Sequence, residues 1–336
     1  MICMFSNVRR YLKSLFSITG ATALEGMQQP VTFLLVFTCL ELTVLQPMLQ
    51  LHTLGEGGRL TRDSGLAFML VFGIFIALFT SGFTLSKEIS GGTAAAAVSK
   101  PVTRSTFITG KFLGALTVIA CFAFCQTFAI LFAERCSEHY IETKQFAGYI
   151  KDTGCGIAAI AVPAAALVLA AFMNWWKRWR FGLWFFLLLM AAQAMLFFVL
   201  GFFARDGKLL SPANYEFAMN FRIISAAILI LMLLMVFVSL ATAFSTRLHT
   251  GAALAVSFAV FFAGFIADSV FGGGNYIARS IYALLPDVQH FWVVDSLAAG
   301  GSIPIIYVAR VTLYAVTYSL FVLLLGAISF ETRDLS

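Results

Sequence analysis

Eight long apolar runs, separated by short polar breaks, dominate the chain: residues 31–50, 65–86, 107–133, 156–173, 181–203, 222–245, 250–271 and 307–330. Each approaches or exceeds the ~20 residues a helix needs to cross a hydrocarbon core about 30 Å thick. They lack the alternation of barrel strands, so the pattern predicts helices, which satisfy their own backbone groups in lipid. The fourth run is rich in alanine and contains Pro163. Ahead of the first run, Met4, Phe5, Val8, Leu12, Leu15 and Phe16 recur at helical spacing, with Ser6, Arg9, Arg10, Lys13 and Ser14 on the other face. Within the N-terminal segment 1–30, that spacing predicts an amphipathic helix in the membrane interface, its basic side toward anionic lipid.

Composition strengthens this picture. Of 336 residues, 60% are hydrophobic and 11% charged, with a mean hydropathy of +0.92, whereas soluble domains carry about 25% charged residues. The expected fold class is therefore all-α, a polytopic integral membrane protein of about eight transmembrane helices spanning 31–330. The breaks between runs are too short for a separate soluble enzyme domain, which needs at least ~50 residues. The net charge of +6 does not point to nucleic acid, because the basic residues form small groups beside apolar runs.

An even number of spans places both termini on one side. The groups Arg9, Arg10, Lys13 and, in the short NWWKRWR turn, Lys177, Arg178, Arg180 share that side, so the positive-inside rule predicts cytoplasmic termini, with 331–336 as a cytoplasmic tail. The segment 272–304 then lies outside, too polar to span and too apolar for a free loop.

The runs hold little that reads as catalysis. Gly110-Lys111-Phe112 lacks the first glycine and the hydroxyl of a P-loop, so ATP hydrolysis by this chain is not expected. The four histidines are scattered and no metal site is expected. Cys136 and Cys155 bracket a polar loop; a disulfide is open to them if that loop faces an oxidising compartment, and two thiols are the alternative. Glu41 lies about ten residues into the first run, where a carboxylate is costly and faces a cavity or a partner. It reads either as lining a translocation path, with Gln46 and Pro47 near it, or as a structural pair with another helix. Gly110 and Gly114 form a GxxxG that permits close helix packing, within the chain or in a dimer.

The most specified break is 87–106. Lys87 and Glu88 sit at the water boundary, Gly91 and Gly92 permit a bend, Thr93 can cap a short helix, and Pro101 ends it. Arg104 and Lys111 flank the re-entry. The alternatives are a plain connecting loop and a helix presented to a soluble partner.

The string Glu88-x-x-x-Gly92-Thr93-x-x-x-x-Val98-Ser99-x-Pro101-Val102-x-Arg104, followed by Gly110-Lys111-x-Leu113-Gly114, resembles the second-to-third-span signature of the type-2 ABC transporter permeases. LATAFSTRLHTGAALAV at 240–256, the closing tail and the amphipathic start are similar to that family as well. Two departures stand out: eight runs against a six-helix family core, with 156–203 as a probable inserted hairpin, and Ala97-Val98 where the family has a leucine pair. The resemblance implies an exporter's permease subunit that is not itself an enzyme. It would sit in the inner membrane of a prokaryote, work as a dimer with a second copy or a sister permease, and bind a separate ABC ATPase that carries ATP and Mg²⁺. It binds no cofactor of its own. Lys87, Glu88, Thr93 and Arg104 would meet the ATPase, Gly92 and Pro101 would shape the bend, and 272–304 would form a partial lid. A motorless secondary transporter or channel, and a membrane anchor of a complex, are the competing expectations.

Overall fold

The structure, a computed structural model, describes residues 2–50, 55–90, 103–143, 146–204, 208–210, 219–271, 276, 282, 284–298 and 301–332. Of these, the side chains of 2–8, 10, 83–90, 141–143, 146, 147 and 271 are not described. The helices in chain order are α1 (Ile2–Gln28), α2 (Pro30–Leu49), α3 (Gly57–Ser90), α4 (Arg104–Cys136), α5 (Thr153–Lys177), α6 (Phe181–Leu200), α7 (Arg222–Phe244), α8 (Thr250–Phe271), the five-residue α9 (Val294–Ala298) and α10 (Ile305–Glu331). Eight of them are long and apolar enough to cross a membrane, and they fall on the eight apolar runs. This is the architecture of a multi-pass membrane protein.

Local chemistry sets the ends. Pro30 opens α2, where its missing N–H is no loss. The Thr103 hydroxyl accepts the Thr106 N–H at 3.3 Å and caps α4. Asp152 caps α5 by accepting the Cys155 N–H at 2.9 Å. At the other end of α5, Arg178 takes the left-handed conformation (φ 55°) and turns the chain into α6. Trp179 and Trp184 stack across that turn with ring centroids 4.4 Å apart.

Helices α3, α4 and α7 form the core; 61%, 61% and 72% of their most apolar stretches are buried, against 33%, 28% and 22% in α5, α6 and α8. The three meet at Gly73, where a methyl group would sit 2.5 Å from Leu234 and 3.2 Å from Phe122. Small residues set such close approaches in membrane bundles.

One feature departs from the sequence reading, and another settles an alternative that the reading left open. Among the described residues the all-α expectation meets one strand pair, an antiparallel hairpin of β1 (His139–Thr143) and β2 (Phe146–Ile150) between α4 and α5. Tyr140 and Tyr149 face each other across it, edge to face at 5.5 Å. The GxxxG of α4 has its partner inside the chain, in α1. A methyl group at Gly110 would lie 2.7 Å from Ile18, and one at Gly114 would lie 2.5 Å from Thr22 and 2.8 Å from the Thr19 carbonyl oxygen. Residue numbers rise together along this contact, so α1 and α4 run parallel and α1 is docked over its second half.

Candidate functional site

The N-terminal end of α4 is built around Arg104. Its Nη1 donates to the carbonyl oxygens of Phe330 (3.1 Å) and Glu331 (2.7 Å), the last two residues of α10. The guanidinium lies 5.8 Å from the Phe330 ring centroid, and Phe107 stacks on the same ring at 6.0 Å. From the opposite side, Arg247, in the turn between α7 and α8, donates from Nε to Ser329 Oγ at 3.0 Å and from Nη2 to Thr332 Oγ1. Two cations thus close the carbonyl end of α10, where the helix dipole is negative. Lys111 is also turned inward, 5% exposed, with Nζ 3.9 Å from Glu25 of α1 and 5.7 Å from the Phe107 ring centroid. The structure therefore places Arg104 and Lys111 against this chain's own α10 and α1. Lys87 and Glu88 fall in the last turn of α3, where only the backbone is described, and Gly92, Thr93 and Pro101 lie outside the described residues.

In the middle of the bundle, Glu41 and Gln46 are separated, because five residues turn a helix through roughly 140°. Gln46 accepts a hydrogen bond from Ser64 of α3 at 2.6 Å. Beside it, Gln126 of α4 donates to Thr43 Oγ1 (2.7 Å) and to the Gly65 carbonyl oxygen (3.3 Å), and Thr43 donates to the Cys39 carbonyl oxygen (2.8 Å). This polar network ties α2, α3 and α4 together. Glu41 is not part of it. Its Oε1 is buried and has no hydrogen-bond partner among the described residues, the condition expected of an intramembrane carboxylate that awaits a proton, ion or partner.

The C-terminal end of α4 carries the most buried charge among the described residues. Arg135 is fully buried and uses all three guanidinium nitrogens: Nε to Asp152 Oδ2 (3.0 Å), Nη1 to the Leu200 carbonyl oxygen (2.8 Å), and Nη2 to the Phe203 carbonyl oxygen (2.7 Å). One side chain thereby joins the end of α4, the start of α5 and the end of α6. Cys136 and Cys155 each remain thiols, and Cys155 Sγ lies 3.7 Å from the Phe132 carbonyl oxygen.

A second cluster surrounds Asp287, just ahead of the short helical turn Gln289–Phe291. Its Oδ2 accepts from Tyr282 Oη (2.8 Å) and lies 2.7 Å from His290 Nδ1, while its backbone N–H donates to Tyr314 Oη of α10 (3.1 Å). The hydrogen bond to Asp287 pushes the Tyr282 phenol up to about 12, with desolvation adding to the shift. These contacts, with Tyr318 Oη on the Leu284 carbonyl oxygen (2.9 Å), fasten the stretch around Asp287 to α10.

The sequence reading missed Arg135, Asp152, Gln126 and Asp287. Asp152-Thr153 ahead of an apolar run is a legible helix start. A lone Arg at the end of a run looks like an interfacial anchor until its partners are known. Among the described residues no three His, Cys, Asp or Glu side chains gather as metal ligands.

The chain matches no protein-family model, no curated protein and no solved structure.

Proposed function

We propose that this chain is the membrane-spanning permease subunit of an ATP-binding-cassette exporter of the type-2 class. In this reading it sits in the inner membrane of a prokaryote with both termini cytoplasmic, and works as a dimer. A separate ATPase subunit, carrying ATP and Mg²⁺, docks at 87–106. One observation carries the reading: the 88–114 string lies at the joint of the two longest helices. Helices α3 and α4 have 34 and 33 residues, about 50 Å each at 1.5 Å per residue, against a hydrocarbon core of about 30 Å. Such helices exceed the core, and the polar end of α3 at Lys87 and Glu88 and the start of α4 at Arg104 are what a soluble partner would meet.

The contacts of Arg104 supply a route for the motion. A displacement of the 91–102 link moves the first turn of α4, and the two hydrogen bonds from Arg104 pass that displacement to the end of α10. Arg247 adds the α7–α8 turn to the same end. Coupling of this kind needs contacts that differ between two states; a clamp of a few exposed hydrogen bonds is of the right strength to be remade in each cycle. The α5–α6 pair is then an added hairpin on a six-helix core, fastened by Arg135.

The test is co-purification of the tagged protein in mild detergent, with mass spectrometry of what accompanies it. A P-loop ATPase should accompany the wild type and fall at least severalfold in the Lys87→Ala, Glu88→Ala variant. A stable, monodisperse wild type with no ATPase would overturn the reading. A second reading, an ion-coupled transporter without a motor, rests on the unpartnered oxygen of Glu41. It predicts ion flux in liposomes containing this chain alone, abolished by Glu41→Gln.

A further inference from the structure

Two apolar cavities open side by side along α4. One, of about 600 Å³, is lined by Leu15, Phe16 and Thr19 of α1, Met190 of α6, and α4 from Leu113 to Phe124. The other, of about 400 Å³, continues from the shared residues Ala120 and Phe124 toward Leu131, walled by α7. Together they form a groove whose floor is made of small α4 residues (Thr117, Ala120, Ala123, Thr127) between phenylalanine walls. Thr117 and Thr127 direct their hydroxyls to the carbonyl oxygens of Leu113 (2.8 Å) and Ala123 (2.7 Å) on their own helix. The floor therefore asks for no polar partner.

The lower cavity, the one of about 600 Å³, covers twelve residues of α4, Leu113 to Phe124, about 17 Å at 1.5 Å per residue, close to one leaflet of a core about 30 Å thick. Its mouth is basic. Arg9, Lys13 and Phe16 follow one another at i, i+4 and i+7 on α1, so they share a face, and all three are exposed. No acidic residue precedes Glu25 in the chain. The GxxxG surface of α4, the usual route to helix pairing, is already covered by Ile18 and Thr22.

We infer that the lower cavity holds one acyl chain of an anionic phospholipid, with its headgroup against Arg9 and Lys13. Charge complementarity selects the headgroup, and the narrow, dry floor selects a flexible hydrocarbon chain rather than a helix. This site depends on membrane embedding alone and is independent of the permease reading.

The experiment is native mass spectrometry of the full-length protein in detergent, delipidated and then titrated with phosphatidylglycerol or phosphatidylcholine of identical acyl chains. The expected result is one tightly held phosphatidylglycerol, preferred roughly thirtyfold, the effect of two basic residues near a headgroup. Arg9→Gln with Lys13→Gln should bring the preference close to one, and Ala120→Trp, which fills the groove, should lower the occupancy of both lipids. Equal binding of the two lipids by the wild type, or a preference unchanged in the glutamine variant, would overturn the inference. So would a two-chain species that Ala120→Trp alone dissolves, because the groove would then be a seam between copies. The wild-type titration and the surface glutamine variant decide the matter even if Ala120→Trp fails to fold.

Discussion

The two ends of α4 each carry an arginine that donates to the carbonyl end of another helix, yet the two are built differently. Arg135 is fully buried, is paired with Asp152 and closes α6. Arg104 is only half-buried, and its hydrogen bonds to α10 go to backbone carbonyls and are partly exposed. A buried guanidinium with every nitrogen engaged cannot let go without leaving a desolvated charge behind. A half-exposed one exchanges its carbonyl partners for water at small cost. The same chemistry therefore serves as a permanent rivet at the C-terminal end of α4 and as a releasable clamp at its N-terminal end.

Substitution should separate the two. The largest effect is expected for Arg135→Met, which leaves Asp152 charged and buried. Removing one partner of a buried pair costs about 3–5 kcal/mol, seen as a large fall in the apparent melting temperature in detergent. Asp152→Asn keeps an acceptor for the Cys155 N–H and removes only the charge. It should lose about 1–3 kcal/mol, as for a hydrogen bond to a charged group. Arg104→Ala is expected to lose no more than ~1 kcal/mol, the value of a cation at a helix C-terminus. Its effect should be local: faster hydrogen exchange at amides 328–332 with little change in melting. If the global melting of Arg104→Ala fell as far as that of Arg135→Met, the distinction between rivet and clamp would collapse. Lysine replacements sharpen the contrast. Arg104→Lys should retain much of the protection at 328–332, whereas Arg135→Lys, without the planar fork, cannot reach Asp152, Leu200 and Phe203 together.

The smallest effect concerns the Asp287 cluster. With its phenol raised from about 10 to about 12 by Asp287, Tyr282 contributes its hydrogen bond fully below pH ~10, the unfolded value. That contribution is lost as pH rises through the folded value, because only the protonated phenol donates to Asp287. An ultraviolet absorbance titration of wild type against Tyr282→Phe should reveal one late-titrating tyrosine, and its absence would remove Tyr282 from the Asp287 cluster.

Apolar periodicity located all eight long helices, because lipid-facing and core-facing positions are both apolar and a run of twenty has few other outcomes. It placed the ends less well. Helix α3 starts at Gly57, ahead of the apolar run at 65, because Arg59 pairs with Glu56 (3.1 Å) and Asp63 (3.8 Å) along a polar first turn. The hairpin at 139–150 escaped notice because five-residue strands of mixed polarity carry little periodic signal. The Gly110/Gly114 pair was legible as a packing surface, but its partner was not, since nothing in α4 says whether α1 or a second copy fills it. Arg135 was invisible for the same reason: its three acceptors lie 17, 65 and 68 residues away.

Those separations also set an order of assembly. At a synthesis rate of about 5–20 residues per second, Asp152 follows Arg135 out of the ribosome within roughly one to three seconds. The carbonyls that Arg104 grips lie 226 and 227 residues downstream, so at that rate the wait is about eleven to forty-five seconds. All three acceptors of the rivet, at 152, 200 and 203, are made within about 3–14 seconds of Arg135, well before the carbonyls of Phe330 and Glu331. The Arg104 clamp therefore closes after the rivet.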